Sequence, residues 1–444
     1  MVSRDLKVSH DLKVSRACVD TRDVPRNSLR PTDAGDGTAS DGPGRCDVGT
    51  TATQIHERTV MTPTPKVANS LIVCSLEPWG SVRRRIRILV DELIDMDPDL
   101  HVLYVAPAID IPFELRKGRL SDLYLPRHEQ VHPRVHVLRP RKWLPRSLGP
   151  LAGRALGRQI SRAAHDLGLI DPLVWINDAS YAEFALSTGW PTVYDITDDW
   201  LLAQNTPRQL ARLRADEALL LAHSGAVVVC SPELARTRGE SRTVDLIPNG
   251  VDVNLFRTPQ SRPADLPAAP VAVYVGTLHG DRTDVPLILD LAEARPDLQI
   301  ALVGTDHLGR SDSERLAAVA TIHFLGPQPY DQVPGFMQHA DIVVIPHLVN
   351  PFTESLDPIK AYECLAAGRP TVATPVAGFR DLGPPIDVCD RDRFVAAVAA
   401  LVDSPASADD RDTPRGSSEV ASWRQRAEAM LQVMHRVRTT AVAP

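Results

Sequence analysis

The sequence predicts two doubly wound, Rossmann-like α/β domains facing a cleft, and three observations carry that prediction. Short continuous apolar runs such as SLIVCSL, HVLYVAP and VAVYVGTL alternate with longer amphipathic stretches. That alternation reads as buried parallel strands covered by helices on both faces. It is interrupted once, at the proline-rich RTPQSRPADLPAAP, and then begins again. A chain of 444 residues has room for two such units.

Residues 1–60 contain no Phe, Tyr or Trp, repeat DLKVS, and include the polar PTDAGDGTASDGPGR. This composition buries too little apolar surface to offset ordering, so residues 1–65 are expected to be a disordered tail, with Met61 an alternative initiator. They hold no apolar stretch of the kind a secretory signal needs. SLIVCSL opens the first domain (66–256), and the helical VRRRIRILVDELIDM follows it. Strands are then expected in HVLYVAP, RVHVLR, LVWIN, TVYDI and AVVVC, the last two separated by the helix TPRQLARLRADEALLLAHS. Residues 257–270 form the linker. The second domain (271–418) takes its strands from VAVYVGTL, LQIALVG, ATIHFLG, DIVVIPH and PTVATP, and a helix (419–440) ends the chain.

Composition narrows the function. With 43% hydrophobic and 24% charged residues and a net charge of −7, the chain resembles an ordinary soluble protein, not a nucleic-acid binder. Its six cysteines form no CxxC pair, which points to reduced thiols in a cytoplasmic protein. No apolar run reaches membrane-spanning length, so any membrane association is expected to be peripheral. G-x-G-x-x-G after a strand, G-x-x-x-x-G-K-[ST] and G-x-S-x-G are all absent from the sequence, which disfavours dinucleotide oxidoreductases, P-loop NTPases and α/β-hydrolases. His279, His307, His323, His339 and His347 lack metal-ligand spacing and read as loop or surface histidines.

In doubly wound sheets, ligands sit outside the carboxyl ends of the strands. In the second domain those ends open into residues 276–284, 304–307, 326–330, 347–354 and 374–379. The densest polar grouping follows at once, in FTESLDPIKAYECLAAGRPTVATP. A loop is expected to carry Glu354 and Ser355. Asp357 suits the N-cap of a helix and Pro358 its first position, while Gly368 and Pro370 end it before a strand. Lys360 and Glu363 then share one helix face, and the helix N-terminus is suited to an anion.

These motifs together resemble the retaining glycosyltransferases of the GT-B fold. LIPNGVDVNLF is similar to that family's entry into its interdomain linker, and PFTESLDPIKAYECLAAGRPTVATPVAGF to its nucleotide-sugar signature. EPWGSVRRRIRIL and TVYDITDDW look most like a bacterial cell-surface polysaccharide branch of the teichuronic-acid type. The resemblance covers roughly residues 66–440. It implies transfer of a sugar from a nucleoside diphosphate sugar, a co-substrate and not a bound cofactor, to a glycan or lipid-linked acceptor. The anomeric configuration is retained, no metal is required, and the site is cytoplasmic or at the inner membrane face.

By the same resemblance Glu363 holds the ribose, and Glu354 is the acid near the transferred sugar. Eight residues separate the two where the family has seven, and the seven-residue position is Ser355. Arg282 stands where the family carries Lys, and Thr277 where it carries Arg, so Lys360 is expected to supply the missing phosphate-binding cation. Gly276, Asp357, Pro358 and Ile359 join the donor site. Trp79, Gly80 and Ser81 match the first-domain glycine loop, Arg83 begins a basic turn facing an anionic acceptor, and Asp198 and Asp199 occupy the sugar- or acceptor-contacting position.

Taken on their own, these residues have plainer readings. Glu363 is a helix-surface acid with Lys360 as a surface partner, Glu354 an exposed loop acid and Arg282 a solvated charge. Asp195, Asp198 and Asp199 are helix-capping groups or, less in keeping with the rest of the chain, a metal-binding cluster. An epimerase or phosphorylase on the same fold, and a binding module that has lost catalysis, are the rival functions.

Overall fold

The computed structural model describes residues 70–80, 83–118, 121–143, 149–203, 205–404 and 420–442; the expected tail, Ser81 and residues 405–418 lie outside them. The first lobe runs through β1 (Ser70–Cys74), α1 (Arg85–Met96), β2 (His101–Val105), β3 (Ile109–Asp110), α2 (Ile111–Arg116), β4 (His128–His132), β5 (Val135–Leu138), β6 (Arg141–Lys142) and α3 (Gly149–Asp166). It continues with β7 (Leu173–Ile176), α4 (Ala182–Ser187), β8 (Thr192–Ile196), α5 (Pro207–His223), β9 (Ala226–Val229), α6 (Pro232–Gly239) and β10 (Asp245–Leu246).

After α7 (Val253–Arg257) the second lobe runs β11 (Val271–Val275), β12 (Leu278–His279), α8 (Val285–Ala294), β13 (Gln299–Val303), β14 (Asp306–His307), α9 (Arg310–Ala317) and β15 (Ile322–Gly326). Then come α10 (Val333–Gln338), β16 (Ile342–Ile345), α11 (Pro351–Glu354), α12 (Ile359–Ala367), β17 (Thr371–Ala373), β18 (Ile386–Val388), α13 (Arg391–Asp403) and, last, α14 (Trp423–Val442).

The first sheet is ordered β10-β9-β8-β7-β1-β2-β5-β4 and the second β15-β13-β11-β16-β17-β18. Within them the ladders are parallel except for the antiparallel edge pair β4–β5. Each apolar run quoted as a strand forms one. β4 (HEQVH) carries no apolar run, because it is an edge strand exposed along most of its length. The strands are sandwiched as expected: Leu71 and Val73 of β1 enter one core and Ile72 and Cys74 the opposite one. In β11, Val271, Val273 and Val275 face one core while Ala272 and Tyr274 face the other.

The two lobes are clasped by α14. Its Trp423, Ala427, Met430, Met434 and Val437 recur every three or four residues and join the core beneath α1. Burying each of Met430, Met434 and Val437 contributes roughly 1.5–3 kcal/mol. The crossing is tight: a Cβ on Gly250 would stand 2.9 Å from the backbone of Ser422 and Trp423, so no side chain fits there. The proline-rich segment before β11 also lies against the second lobe, with Gln260 N donating to Gln338 Oε1 at 2.8 Å. Across the cleft, Ser231 Oγ of the first lobe donates to Ser355 O at 2.7 Å, and the Trp200 and Phe352 rings lie 6.5 Å apart.

Candidate active site

The start of α12 departs from the sequence reading in one respect. Asp357 does not cap the helix; Pro358 occupies that position and offers no side-chain bond. The Asp357 carboxylate is taken by two other donors, Asn249 N at 2.5 Å and Tyr362 Oη at 2.7 Å. The first amides of α12 are therefore left without a side-chain cap, at the positive end of the helix. Gly368 ends the helix as expected, in the left-handed conformation with φ of 65°. Glu354 is also not in a loop. It closes the short helix α11, which Asn350 and Thr353 cap reciprocally at 3.0 and 2.9 Å.

Lys360 and Glu363 do share a face, and what they touch is informative. The Lys360 side chain crosses Gly276, at the end of β11, so closely that a Cβ there would fall on its Cε and Nζ. Gly276 has φ of 139°, so this position needs glycine for its backbone as well as for its space. Glu363 is buried. Burial pushes its carboxyl up, opposed by the Lys360 charge; burial pushes the Lys360 ammonium down, opposed by Glu363 and reinforced by Arg282. Neither group has a hydrogen bond or ion pair to another of the described residues. A buried and a half-buried charge, coupled but unbonded, cost stability, and they are suited to a ligand that bonds to both.

Arg282 lies at the same strand end. It is paired with Asp281 at 3.0 Å and stacked 5.2 Å over Phe352, with a quarter of its side chain exposed. Thr277 follows Gly276 in the chain, and its carbonyl accepts from Tyr274 Oη at 3.3 Å. Glu354 is held by Arg380 Nη2 at 2.7 and 2.9 Å and remains about a third exposed. Ser355 is fully buried, with its hydroxyl donating to Phe352 O at 2.7 Å, so of the two candidates for the first acid position only Glu354 presents a side chain.

The first lobe sorts its charges differently. Trp79 packs edge-on against Tyr104 at 5.0 Å beneath the Arg87 guanidinium, and Arg87 also donates to Gly80 O. The three successive arginines separate. Arg83 pairs with Asp91 at 2.8 Å and lines a cavity of about 430 Å³ with Tyr330, Trp423 and Arg424. Arg84 pairs with Glu77 at 3.5 Å and bears electrostatically on Asp198, Lys360 and His279. Arg85 is buried beside Asp195. Asp199 is not open to an acceptor: it is buried and clamped by Arg238 at 2.7 and 2.8 Å, with Glu217 on the same guanidinium. Asp198 alone keeps a weak tie, Thr197 Oγ1 at 3.3 Å. Burial pushes its carboxyl up to about 6, with the Arg282 charge opposing from the other lobe.

Comparisons with known proteins fit this geometry. Residues 269–404 match the family described as glycosyl transferases group 1. The second lobe carries a glycosyltransferase domain. TuaH of Bacillus subtilis, a teichuronic acid biosynthesis glycosyltransferase, is 25% identical over 198 residues, which cover 41% of this chain and 50% of TuaH. A D-inositol 3-phosphate glycosyltransferase of Corynebacterium jeikeium is 27% identical over 156 residues, 30% of this chain and 36% of that protein. The chain thus spans half or less of the length of these relatives.

Among solved structures, Anabaena HepE in complex with UDP-glucose superposes with a TM-score of 0.55 at 18% identity, over 84% of this chain and 98% of HepE. The catalytic domain of Arabidopsis thaliana starch synthase IV, bound to ADP and acarbose, gives 0.57 at 10% identity over 84% and 100%. The fold is GT-B.

Three parts of this GT-B cleft were not assigned from the sequence. Arg380 was not singled out. Arg84 joins Arg83 in bearing on the cleft, Arg84 on Lys360 and Asp198 and Arg83 on Tyr330. The third part is the histidines after the strands. His347 is buried, with Tyr274 Oη 3.3 Å from its Nε2, and burial pushes it down to about 3. His279 and His307 stack edge-on at 5.1 Å where β12 pairs with β14, and burial pushes His279 down to about 4. The strand-end rule had already marked their segments; reading them only for metal spacing hid them.

Proposed function

We propose that this protein is a glycosyltransferase that moves a sugar from a nucleoside diphosphate sugar to a glycan or lipid-linked acceptor, with retention of configuration. The observation that carries the reading is the unbonded pair Lys360 and Glu363 at the uncapped start of α12. A diphosphate supplies what Lys360 and the free amides lack, and ribose hydroxyls supply donors for Glu363. Lys360, lying beside Gly276, provides the cation that Thr277 does not. Arg282 adds a second positive charge as the leaving group develops its own. Pro358 and Ile359 present the backbone, while Glu354 and Asp198 approach the sugar from opposite sides of the cleft, and the loop at Gly80 closes over the phosphates. Since side chains and amides meet the phosphate charge in this scheme, turnover is expected to persist in excess chelator.

A lipid-linked acceptor has its own support. Leu115, Tyr124, Trp143 and Leu151 are exposed on adjoining elements of the first lobe, near the exposed Arg116. No helix among the described residues is long and apolar enough to cross a membrane, so contact there would be peripheral.

The test is calorimetry against a panel of nucleoside diphosphates, followed by donor turnover. Wild type is expected to bind at least one diphosphate, with Glu363→Ala and Lys360→Met each losing most of that affinity. Binding that Glu363→Ala leaves intact would overturn the assignment. Diphosphate binding without turnover of any nucleotide sugar would instead favour the binding module, a reading the Glu354–Arg380 pair supports.

A further inference from the structure

Asn249 sits where the chain leaves the first sheet for the second lobe, and each of its polar groups is engaged. Its N–H donates to Asp357 Oδ2 and its Nδ2 to Asp357 O, both at 2.5 Å. Its Oδ1 accepts from Arg85 Nη1 at 3.2 Å, and its carbonyl accepts from Arg426 Nε at 2.9 Å. Three separate elements thus meet at one buried residue: α1 through Arg85, the approach to α12 through Asp357, and α14 through Arg426.

The ties extend outward from there. Arg85 also donates to Pro248 O at 3.1 Å and faces Asp195 at 3.5 Å, and Asp195 in turn accepts from Trp175 Nε1 at 3.2 Å in the middle of the first sheet. On the other side Asp357 accepts from Tyr362 Oη, one turn into α12. A continuous polar path, buried at its first-lobe end and half-buried at Asp357 and Tyr362, therefore runs from β7 to the helix that carries Lys360 and Glu363. At Asn249 every group is satisfied, while Arg85 and Asp195 meet only as a 3.5 Å ion pair, with Arg85 Nε and Nη2 and Asp195 Oδ1 making no hydrogen bond. The satisfied centre is the part that rigidifies the structure, because every alternative arrangement there leaves a buried group unpaired.

We propose that Asn249 is a positioning residue that fixes the register of the two lobes. It holds the start of α12 at a set place relative to α1 and α14, so that the first-lobe groups Arg84 and Asp198 meet the second-lobe groups Lys360 and Arg282. The proposal rests on the glycosyltransferase reading for its kinetic consequence but not for its structural one. Apart from the loop at Gly80, the proposed donor-binding groups belong to the second lobe, so loss of register leaves nucleotide affinity largely in place. Catalysis, which needs both lobes, falls.

The test replaces Asn249 with its isostere. Asn249→Asp keeps the size but sets a carboxylate against Asp357 in place of the Nδ2 donor. Spin labels at Arg162→Cys and Arg310→Cys, on exposed faces of α3 and α9, report the lobe separation once Cys18 and Cys46 are serine. Wild type is expected to give one narrow distance and Asn249→Asp a broadened or shifted one. With UDP and UDP-glucose as probes, kcat should fall at least ~10-fold while UDP affinity changes less than ~3-fold, as misplacement of reacting groups by about 1 Å requires. An unchanged distance distribution would overturn the proposal, as would a lowered Tm with kcat per folded molecule intact. Should Asn249→Asp not fold, Arg426→Met removes one arm only and must broaden the same distance to a smaller degree. If wild type binds no UDP, it is the uridine donor that has failed, and the distance measurement still decides the register.

Discussion

The KAYE turn of the second lobe and the TDD turn of the first hold their charges on opposite terms. Lys360 and Glu363 are sheltered, feel each other, and are bonded to nothing. They stand three positions apart, and the helix keeps them on one face. Asp199, four residues beyond Asp195 in the other lobe, is equally buried but sits in a bidentate clasp with Arg238. Asp195 faces Arg85 and Trp175. Scaffold charges come with their partners; the charges proposed to bind the donor wait for one. Asp198, between the two scaffold acids in sequence, belongs with the waiting kind: burial raises it to about 6, and among the described residues it is held by a single long hydrogen bond from Thr197.

The difference can be broken at either end. Removing a scaffold charge gives the largest effect. Asp199→Ala leaves Arg238 facing Glu217 alone, and breaking a buried pair in this way costs about 3–5 kcal/mol. Denaturant melts should show this as a lowered midpoint, with nucleotide affinity of the folded fraction unchanged. Removing a waiting charge should do the reverse. Lys360→Met takes an unpaired ammonium out of a buried site, so stability is expected to hold or rise, while kcat/KM falls about 10²–10³-fold, the usual cost of losing a group that stabilises developing charge. If Lys360→Met instead destabilises the protein and spares turnover, the contrast between the two turns is wrong.

Much of this was legible in the sequence, for physical reasons that also mark where legibility stopped. Strands buried on both faces must be continuously apolar, so β1 and β11 announced themselves, whereas edge strand β4 had no such constraint. Lys360 and Glu363 were readable because helical spacing alone puts them together. The neighbouring arginines were not, because Arg83, Arg84 and Arg85 lie at a helix start, where one residue of phase decides between solvent, cleft and core. Asp198 and Asp199 divided likewise in the turn after β8, where adjacent residues point to different partners. Asp357 looked like a cap because its true partner, Asn249, lies 108 residues away and no local rule reaches it.

Asp198 offers a smaller, pH-dependent test. Its carboxyl titrates near 6 when folded against an ordinary value of 3.8, so the unfolded chain releases this proton first. The stability it contributes is complete below about pH 4 and is lost as pH rises through 6, by up to roughly 3 kcal/mol. Asp198→Asn should therefore gain stability relative to wild type across that window, visible in melts at pH 4, 5, 6 and 7. If ionised Asp198 serves turnover, kcat/KM of wild type also acquires an acid limb near 6 that the asparagine variant lacks. A stability difference that stays flat with pH would place Asp198 among the ordinary surface acids.

The smallest effect is expected at Glu354 and Arg380, where the two categories meet. The pair is bonded, as scaffold charges are, yet both side chains are partly exposed at the cleft, as ligand groups are. An exposed ion pair contributes at most about 1 kcal/mol, so Arg380→Gln should barely move the melting curve. Its kinetic effect carries the information. If Arg380 only orients Glu354 toward the transferred sugar, Arg380→Gln should lower kcat a few-fold, and Glu354→Gln on top of it should cost less than it does in wild type. Such non-additivity marks two residues acting through one contact. Fully additive losses would mean that Arg380 touches the donor itself, and a pair with no kinetic effect would belong with Asp199 and Arg238, as scaffold placed at the cleft's edge.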